Sequence, residues 1–296
     1  VAAAVAHALG LPAAQAHAAL AIAASQSAGL RANFGSDTKP LHVGFAAAAG
    51  LRAVLLARAG ADASDDVWGP SGFFLAYNGG EAQPPLAWNA ETEWALARPG
   101  FEHKRFPSCY MTHRLIAGVL KIRARHPEAT WSRPVDIAIE VPRNGTSALK
   151  HPQATTGLQA KFSGHYCAAA AWNDGKVELA AFAEAAVLRP QLRALMQRVT
   201  LSERDVAGER LESAPVHVTV RGEGWSDRIT VDWAPGSPAD PMTRAELLQK
   251  WRDCASHGGL NQDAIAIQAL LDAPLDTPAA AVLAPLRLTL LAGVPT

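Results

Sequence analysis

The sequence is poor in the parts from which many specialised sites are built. It has three cysteines, Cys109, Cys167 and Cys254, far apart and without a C-x-x-C pair. That argues against a disulfide framework or a zinc site and fits a reducing compartment, so a cytoplasmic location is expected. Charge of one sign is also absent: 27 basic residues cancel 27 acidic ones, and nothing points to nucleic acid or an anionic membrane surface as partner. No apolar run reaches the roughly 18 residues of a membrane span without Gly, Pro or charge interrupting it. Neither GxxxxGK[ST] nor GxGxxG occurs, and a GxSxG nucleophile elbow is missing too. No His/Asp/Glu group has ligand spacing, so no metal is expected.

What is present is alanine, leucine and glycine in helical order. At 296 residues the chain can bury a large core in one or two domains. It opens Val1-Ala2-Ala3, without Met or a basic n-region. It therefore reads as starting inside a helix rather than as a signal peptide, which suggests that residues precede it. Composition divides it into three parts: helical 1–100, mixed 101–238, and helical again from 239 to 296. In the first, Pro12 starts a helix running to Gly29 and Pro40 starts the next, which Gly60 stops. Leu51, Val54 and Leu55 have the spacing of its buried stripe. His7 and His17 read as structural. Trp68, Phe73, Phe74, Trp88 and Trp94 are expected in a core at a junction between domains.

In the middle part, Val135, Ile137, Ile139 and Val141 alternate with polar or small residues, as do Val216, Val218 and Val220, and Ile229, Val231 and Trp233. These are half-buried strands. Residues 222–227 should turn a hairpin. Helices are expected from Ser108 to His126, from Tyr166 to Asn173 and near 178–198, which makes an α+β domain inserted into a helical one. In the last part Thr243-Arg244-Ala245-Glu246 is a capping box and Gly258 ends that helix. Asn261 to Ala273 is a second helix, and an apolar tail (Val282 to Leu291) is expected to dock on the first part.

Three helix starts carry cations. Thr38-Lys39-Pro40-Leu41-His42 opens a helix, with Asp37 or Thr38 as its cap. A lysine there opposes the helix dipole, yet with His42 and the free N–H groups it can form an anion site. A solvated lysine and a satisfied core histidine remain the other reading. His103-Lys104-Arg105-Phe106-Pro107-Ser108-Cys109 places two cations ahead of a capping serine, with His113 in the following helix. Lys161-Phe162-Ser163-Gly164-His165-Tyr166 repeats the theme. Three such starts in a neutral chain suggest one cavity for a multiply charged anion.

At these residues the chain resembles the MmgE/PrpD family, whose members include 2-methylcitrate dehydratase, cis-aconitate decarboxylase and iminodisuccinate epimerase. Thr38-Lys39-Pro40-Leu41-His42-Val43-Gly44 is similar to its T-K-x-L-H-x-G. Lys104-Arg105-Phe106-Pro107-Ser108-Cys109, followed by Thr112-His113, is similar to K-x-Y-P-S-C. Gln159-Ala160-Lys161-Phe162-Ser163 with Tyr166 is similar to A-x-F-S-x-x-Y, and Gly236-Ser237-Pro238-Ala239-Asp240-Pro241 to G-x-P-x-N-P. Two positions depart from the pattern: Tyr110 stands where decarboxylase-like members carry histidine, and Asp240 where the usual residue is asparagine.

The resemblance implies a mainly α fold, an all-helical domain lacking its N-terminal part and interrupted by a smaller α+β lid, with the site between the two. It implies a homodimer working without metal or organic cofactor on a small di- or tricarboxylate. Lys39 and Lys104 correspond to active-site lysines, which would bind carboxylates and stabilise an enediolate-like charge. His42, His113, His165 and Tyr166 are candidates for acid–base work or orientation, His42 foremost. The catalytic set is thus Lys39, His42, Lys104 and Tyr166, with Thr38, Arg105, Ser108, Cys109, Ser163 and His165 around the substrate. Cys109 and Cys167 read as small buried residues rather than nucleophiles. Further active-site histidines and an aspartate belong to the N-terminal portion of the family. The implied activity is elimination of water from a substrate such as 2-methylcitrate. The alternatives are an iminodisuccinate-type epimerase, a cis-aconitate-type decarboxylase, and a non-catalytic helical interaction protein.

Overall fold

The computed structural model describes residues 1–77, 97, 100–205, 211, 214–259, 277–278 and 281. The chain is helix-rich with an α+β part, and it divides into two compact units, Val1–Trp94 and Ala95–Thr296.

In the first unit α1 (Ala2–Ala8), α2 (Ala13–Ala24) and α3 (Thr38–Arg58) pack on one another. Their shared core is Ala2, Ala6, Ala18, Ala19, Val54 and Ala57, the small side chains that let alanine-rich helices approach closely. Pro12 is the N-cap of α2. That helix stops at Ala24, short of Gly29, because Ser25 Oγ and Gln26 Nε2 take the carbonyls of Ala21 and Ile22, each at 3.2 Å. Pro40 lies in the first turn of α3 rather than opening it, and Asp37 at the N-cap makes no capping side-chain hydrogen bond. Past its end Gly60 adopts φ +98°, the left-handed stop expected of it.

The expected stripe of α3 is corrected. Val54 is buried, but Leu51 and Leu55 are 46% and 50% exposed, and the inward face is Gly50, Ala53, Val54 and Ala57. Small residues won the contact because they let the helices come nearer than leucines would. By length and composition α3 is also apolar enough to cross a membrane, although Pro40, Gly44, Gly50 and Arg52 interrupt the run. Trp68, Phe73, Phe74 and Tyr77 form an aromatic group on α4 (Phe73–Tyr77) and the turn before it; Phe73 stacks on Tyr77 at 4.7 Å. These described aromatics pack within the first unit, while Trp88 and Trp94 lie outside the described residues.

The second unit is built on a four-stranded sheet of order β2-β1-β3-β4, with β1 Asp136–Pro142, β2 Val199–Arg204, β3 Val216–Gly222 and β4 Trp225–Val231. β1 runs parallel to β2 and antiparallel to β3, and β3 is antiparallel to β4. The alternation read from sequence is the real register of β1 and β3, where Ile137, Ile139, Val141, Val216, Val218 and Val220 are all buried. In the third run Val231 is buried and Ile229 half-buried, but Trp233 lies past the end of β4 and is exposed. The hairpin turns on only Glu223 and Gly224, with Gly222 paired to Trp225 and Gly224 at φ +76°. β2 escaped the sequence reading because it is an edge strand in which only Val199 is buried.

α5 (His113–Arg123) and α7 (Gly164–Asp174) pack on each other; α5 also lies against β3 and β4 and α7 against β2. A Cβ at Gly118 would meet Val218, so glycine sets how closely α5 rides on the sheet. The expected helix near 178–198 is in fact two short helices, α8 (Glu184–Val187) and α9 (Pro190–Met196), broken by Pro190; the four-residue α6 is Gly157–Ala160. α10 (Arg244–His257) has the full capping box of Thr243 and Glu246 and ends at Gly258. The helix expected over 261–273 and the apolar tail lie outside the described residues.

Candidate functional site

The second unit brings two of the three cationic helix starts together. The amide of Cys109 donates to the carbonyl of Lys161 at 2.8 Å, joining the 104–113 stretch to the 161–167 stretch. Ser108 does not cap a helix as the sequence reading expected, because Tyr110–Thr112 form a 3-10 turn and α5 begins at His113. Instead Thr112 Oγ1 donates to the Cys109 carbonyl at 2.7 Å. That leaves buried Ser108 Oγ, also 2.7 Å from Thr112 Oγ1, as the donor between the two hydroxyls. Lys104 Nζ folds back onto the Ser108 carbonyl at 3.3 Å.

Three contacts hold the start of this motif from behind. The His103 amide donates to the Gly236 carbonyl at 2.7 Å. Lys250 Nζ donates to the Lys104 carbonyl at 2.6 Å, and Arg105 Nε stands 3.8 Å from Glu246 Oε1. Gly236 is at φ +92°, where a Cβ would overlap the His103 carbonyl, so glycine is required there. Its own amide bonds Asp240 across the turn at 2.7 Å. Asp240 therefore acts through its backbone, and Thr243 is the cap of α10.

Beside it, Ser163 is the N-cap of α7 and accepts from the Tyr166 amide at 3.0 Å. His165 is half-buried, and burial holds its pKa below the ordinary value. Tyr166 is fully buried, its hydroxyl donates to the Ala181 carbonyl, and burial raises the phenol to about 12. Such a phenol stays protonated and its proton is committed to a carbonyl. Lys161 Nζ stands 5.9 Å from the Phe182 ring. Cys167 is buried and burial pushes its thiol up to about 12, so it is not a thiolate near neutral pH. Cys109 is half-buried.

His113 is the most unusual group in this unit. It is fully buried at the first position of α5, edge-on to Phe106 at 5.3 Å and 5.2 Å from the Tyr110 ring. The carbonyls of Phe106 and Ser108 lie near its ring, but neither ring nitrogen makes a hydrogen bond of good geometry. Burial first, then the Lys104 ammonium, lower its pKa to about 4. It is therefore a neutral imidazole beside a lysine. Tyr110 itself is raised to about 12 by burial and a hydrogen bond to Glu102.

Thr38, Lys39 and His42 belong to the first unit. Lys39 is half-buried, its Nζ 5.3 Å from the Phe34 ring. His42 lies against Gly29 and, with Thr38, lines a mostly apolar cavity of about 620 Å³ that also touches Asn33, Phe45, Trp68 and Phe73. Among the described residues, no group of three or more His, Cys, Asp or Glu is placed to hold a metal ion. Sequence reasoning missed Lys250. The available signal was its place one turn after Glu246 of the capping box, on the same face of α10.

The helical unit and the α+β unit each match a known family domain. The MmgE/PrpD C-terminal domain model matches residues 106–273 and the N-terminal domain model residues 1–85; the chain belongs to the MmgE/PrpD family. It is 29% identical over 255 residues to a cis-aconitate decarboxylase of Homo sapiens and 28% identical over 258 residues to one of Mus musculus. Each match covers 84% of this chain and 52% of the relative, so the chain spans about half the length of the curated relatives it matches.

Proposed function

We propose that the chain acts as a lyase on a small di- or tricarboxylate, eliminating water from a substrate such as 2-methylcitrate. The observation that carries this reading is the joining of the Lys104 and Ser163 stretches at the starts of α5 and α7, where a lysine stands beside a neutral imidazole. Lys39 and Lys104 would bind carboxylates. As a proton leaves the carbon next to one of them, charge moves onto its oxygens, and the cations placed beside it would stabilise it. His42, half-buried at an open cavity, is the proposed base. Thr38, Arg105, Ser108, Cys109, Ser163 and His165 are proposed to surround the substrate. Tyr166 is proposed to orient α7 rather than to exchange protons. No metal or organic cofactor is needed for this chemistry, and a homodimer is the proposed assembly.

A second reading is decarboxylation of cis-aconitate, favoured by the names of the relatives that the chain resembles. It would use the same lysines and deliver a proton to carbon after CO₂ leaves. Incubation with 2-methylcitrate, cis-aconitate and iminodisuccinate in D₂O, followed by proton NMR, separates these readings. Water loss supports the first and CO₂ loss the second, while deuterium uptake with inversion would make the protein an epimerase. No turnover and no carboxylate binding would leave a helical interaction protein.

A further inference from the structure

The motif that carries Lys104 is not self-supporting. Its backbone is held by residues more than a hundred positions later, on the Gly236–Asp240 turn and on α10. Glu246 and Lys250, one helical turn apart on α10, reach the adjacent residues Arg105 and Lys104. The two contacts differ in kind. Arg105 and Glu246 stand 3.8 Å apart, both partly exposed, and Glu246 is already committed to the Thr243 cap; such a pair holds little. The Lys250 contact is also exposed, but it is far closer: a charged donor 2.6 Å from the Lys104 carbonyl, a short, charge-assisted bond.

We propose that Lys250 is a positioning residue for Lys104: its ammonium pins the Lys104 backbone and thereby sets where the Lys104 side chain presents its charge. This rests on the reading of Lys104 as a carboxylate clamp. Lys250 spends itself on a backbone carbonyl and acts through Lys104 rather than on the substrate. The same ammonium, with that of Lys104, adds positive potential at His113, so the cluster presents a steady field to an anion. Behind the pin lies a cavity of about 160 Å³, lined among others by Arg105, Phe106, Leu120, Lys250 and Cys254. Its space would let the 104–107 backbone relax when the pin is removed.

The test uses the whole chain, Lys250→Met, Lys250→Arg and Lys104→Ala. The readouts are citrate binding by calorimetry and amide hydrogen exchange of residues 103–106 without ligand. Lys250→Met should speed exchange at 103–106 and weaken citrate binding about tenfold, the lower end of what a hydrogen bond from a charged group contributes. Lys250→Arg, which keeps a charged donor, should restore both. In a Lys104→Ala background, Lys250→Met should weaken binding no further. Unchanged exchange in Lys250→Met, or losses that add in the double variant, would overturn the assignment. If the wild-type chain binds no citrate while Lys250→Met still loosens 103–106, the pin stands and the carboxylate reading of the site falls.

Discussion

The helix start at Lys39 and the one at Lys104 have nearly the same ingredients in sequence: a lysine, a proline, a small polar residue and a histidine a few positions on. Their surroundings differ. At the first, Lys39 and His42 are half-buried, Asp37 caps nothing, and His42 faces an open apolar cavity. At the second, His113 and Ser108 are buried while Lys104 itself is exposed, hydroxyls bond one another, and two hydrogen bonds with the distant Gly236 and Lys250 hold the backbone. At the second stretch, then, long-range contacts take up backbone groups. The pattern itself specifies none of that.

The comparison is broken most severely through its glycines. Gly236→Ala forces a Cβ into the His103 carbonyl at φ +92° and should destabilise the second unit by about 4 kcal/mol, read as a large fall in Tm. Next come the lysines. Lys104→Ala and Lys39→Ala should each lower carboxylate affinity by about 3 kcal/mol, or roughly 100-fold, while the melting curve hardly moves. If Lys39→Ala binds as before, the first helix start is a surface feature and the asymmetry between the regions is complete.

Acid sharpens the contrast further. His113 has a folded pKa of about 4 against an ordinary value of 6.5, so the unfolded chain takes up the proton first. The stability associated with its neutral form is full above pH 6.5 and falls as the pH drops towards 4, by up to about 3 kcal/mol. Denaturant midpoints measured from pH 7 to 4 should show that loss, and His113→Gln should remove most of it. The smallest expected effect is at Gly44 in α3, where an added Cβ meets nothing. Gly44→Ala should stabilise by roughly 1 kcal/mol, the helix-propensity difference, and a lower Tm would mean that this face is covered.

Much of the fold was legible because its signals are local. Alternation placed Ile137, Ile139 and Val141 inward, and Thr243 with Glu246 marked α10 to the residue. The misses came where packing outweighed pattern. β2 carries little burial of its own and forms because β1 offers a free edge. The α3 stripe was misread because glycine and alanine, not leucine, made the closest contacts. At the candidate site, Lys104, Ser163 and His165 were visible as motif residues, but Lys250 was not, since a lysine on a helix looks the same whether it meets water or a distant carbonyl.

By itself, then, the sequence determined the alternation of β1 and β3, the capping box of α10, the Ser163 cap of α7 and the presence of the cationic stretches, and it carries the family motifs. These depend on residues within a turn or two of each other. Only the tertiary structure decided that Cys109 meets Lys161, that Gly236 bonds His103 and that Lys250 bonds the carbonyl of Lys104. It also decided that His113 is buried and neutral. Hydrogen-bond partners and desolvation depend on which distant groups are brought near, and no local pattern encodes that.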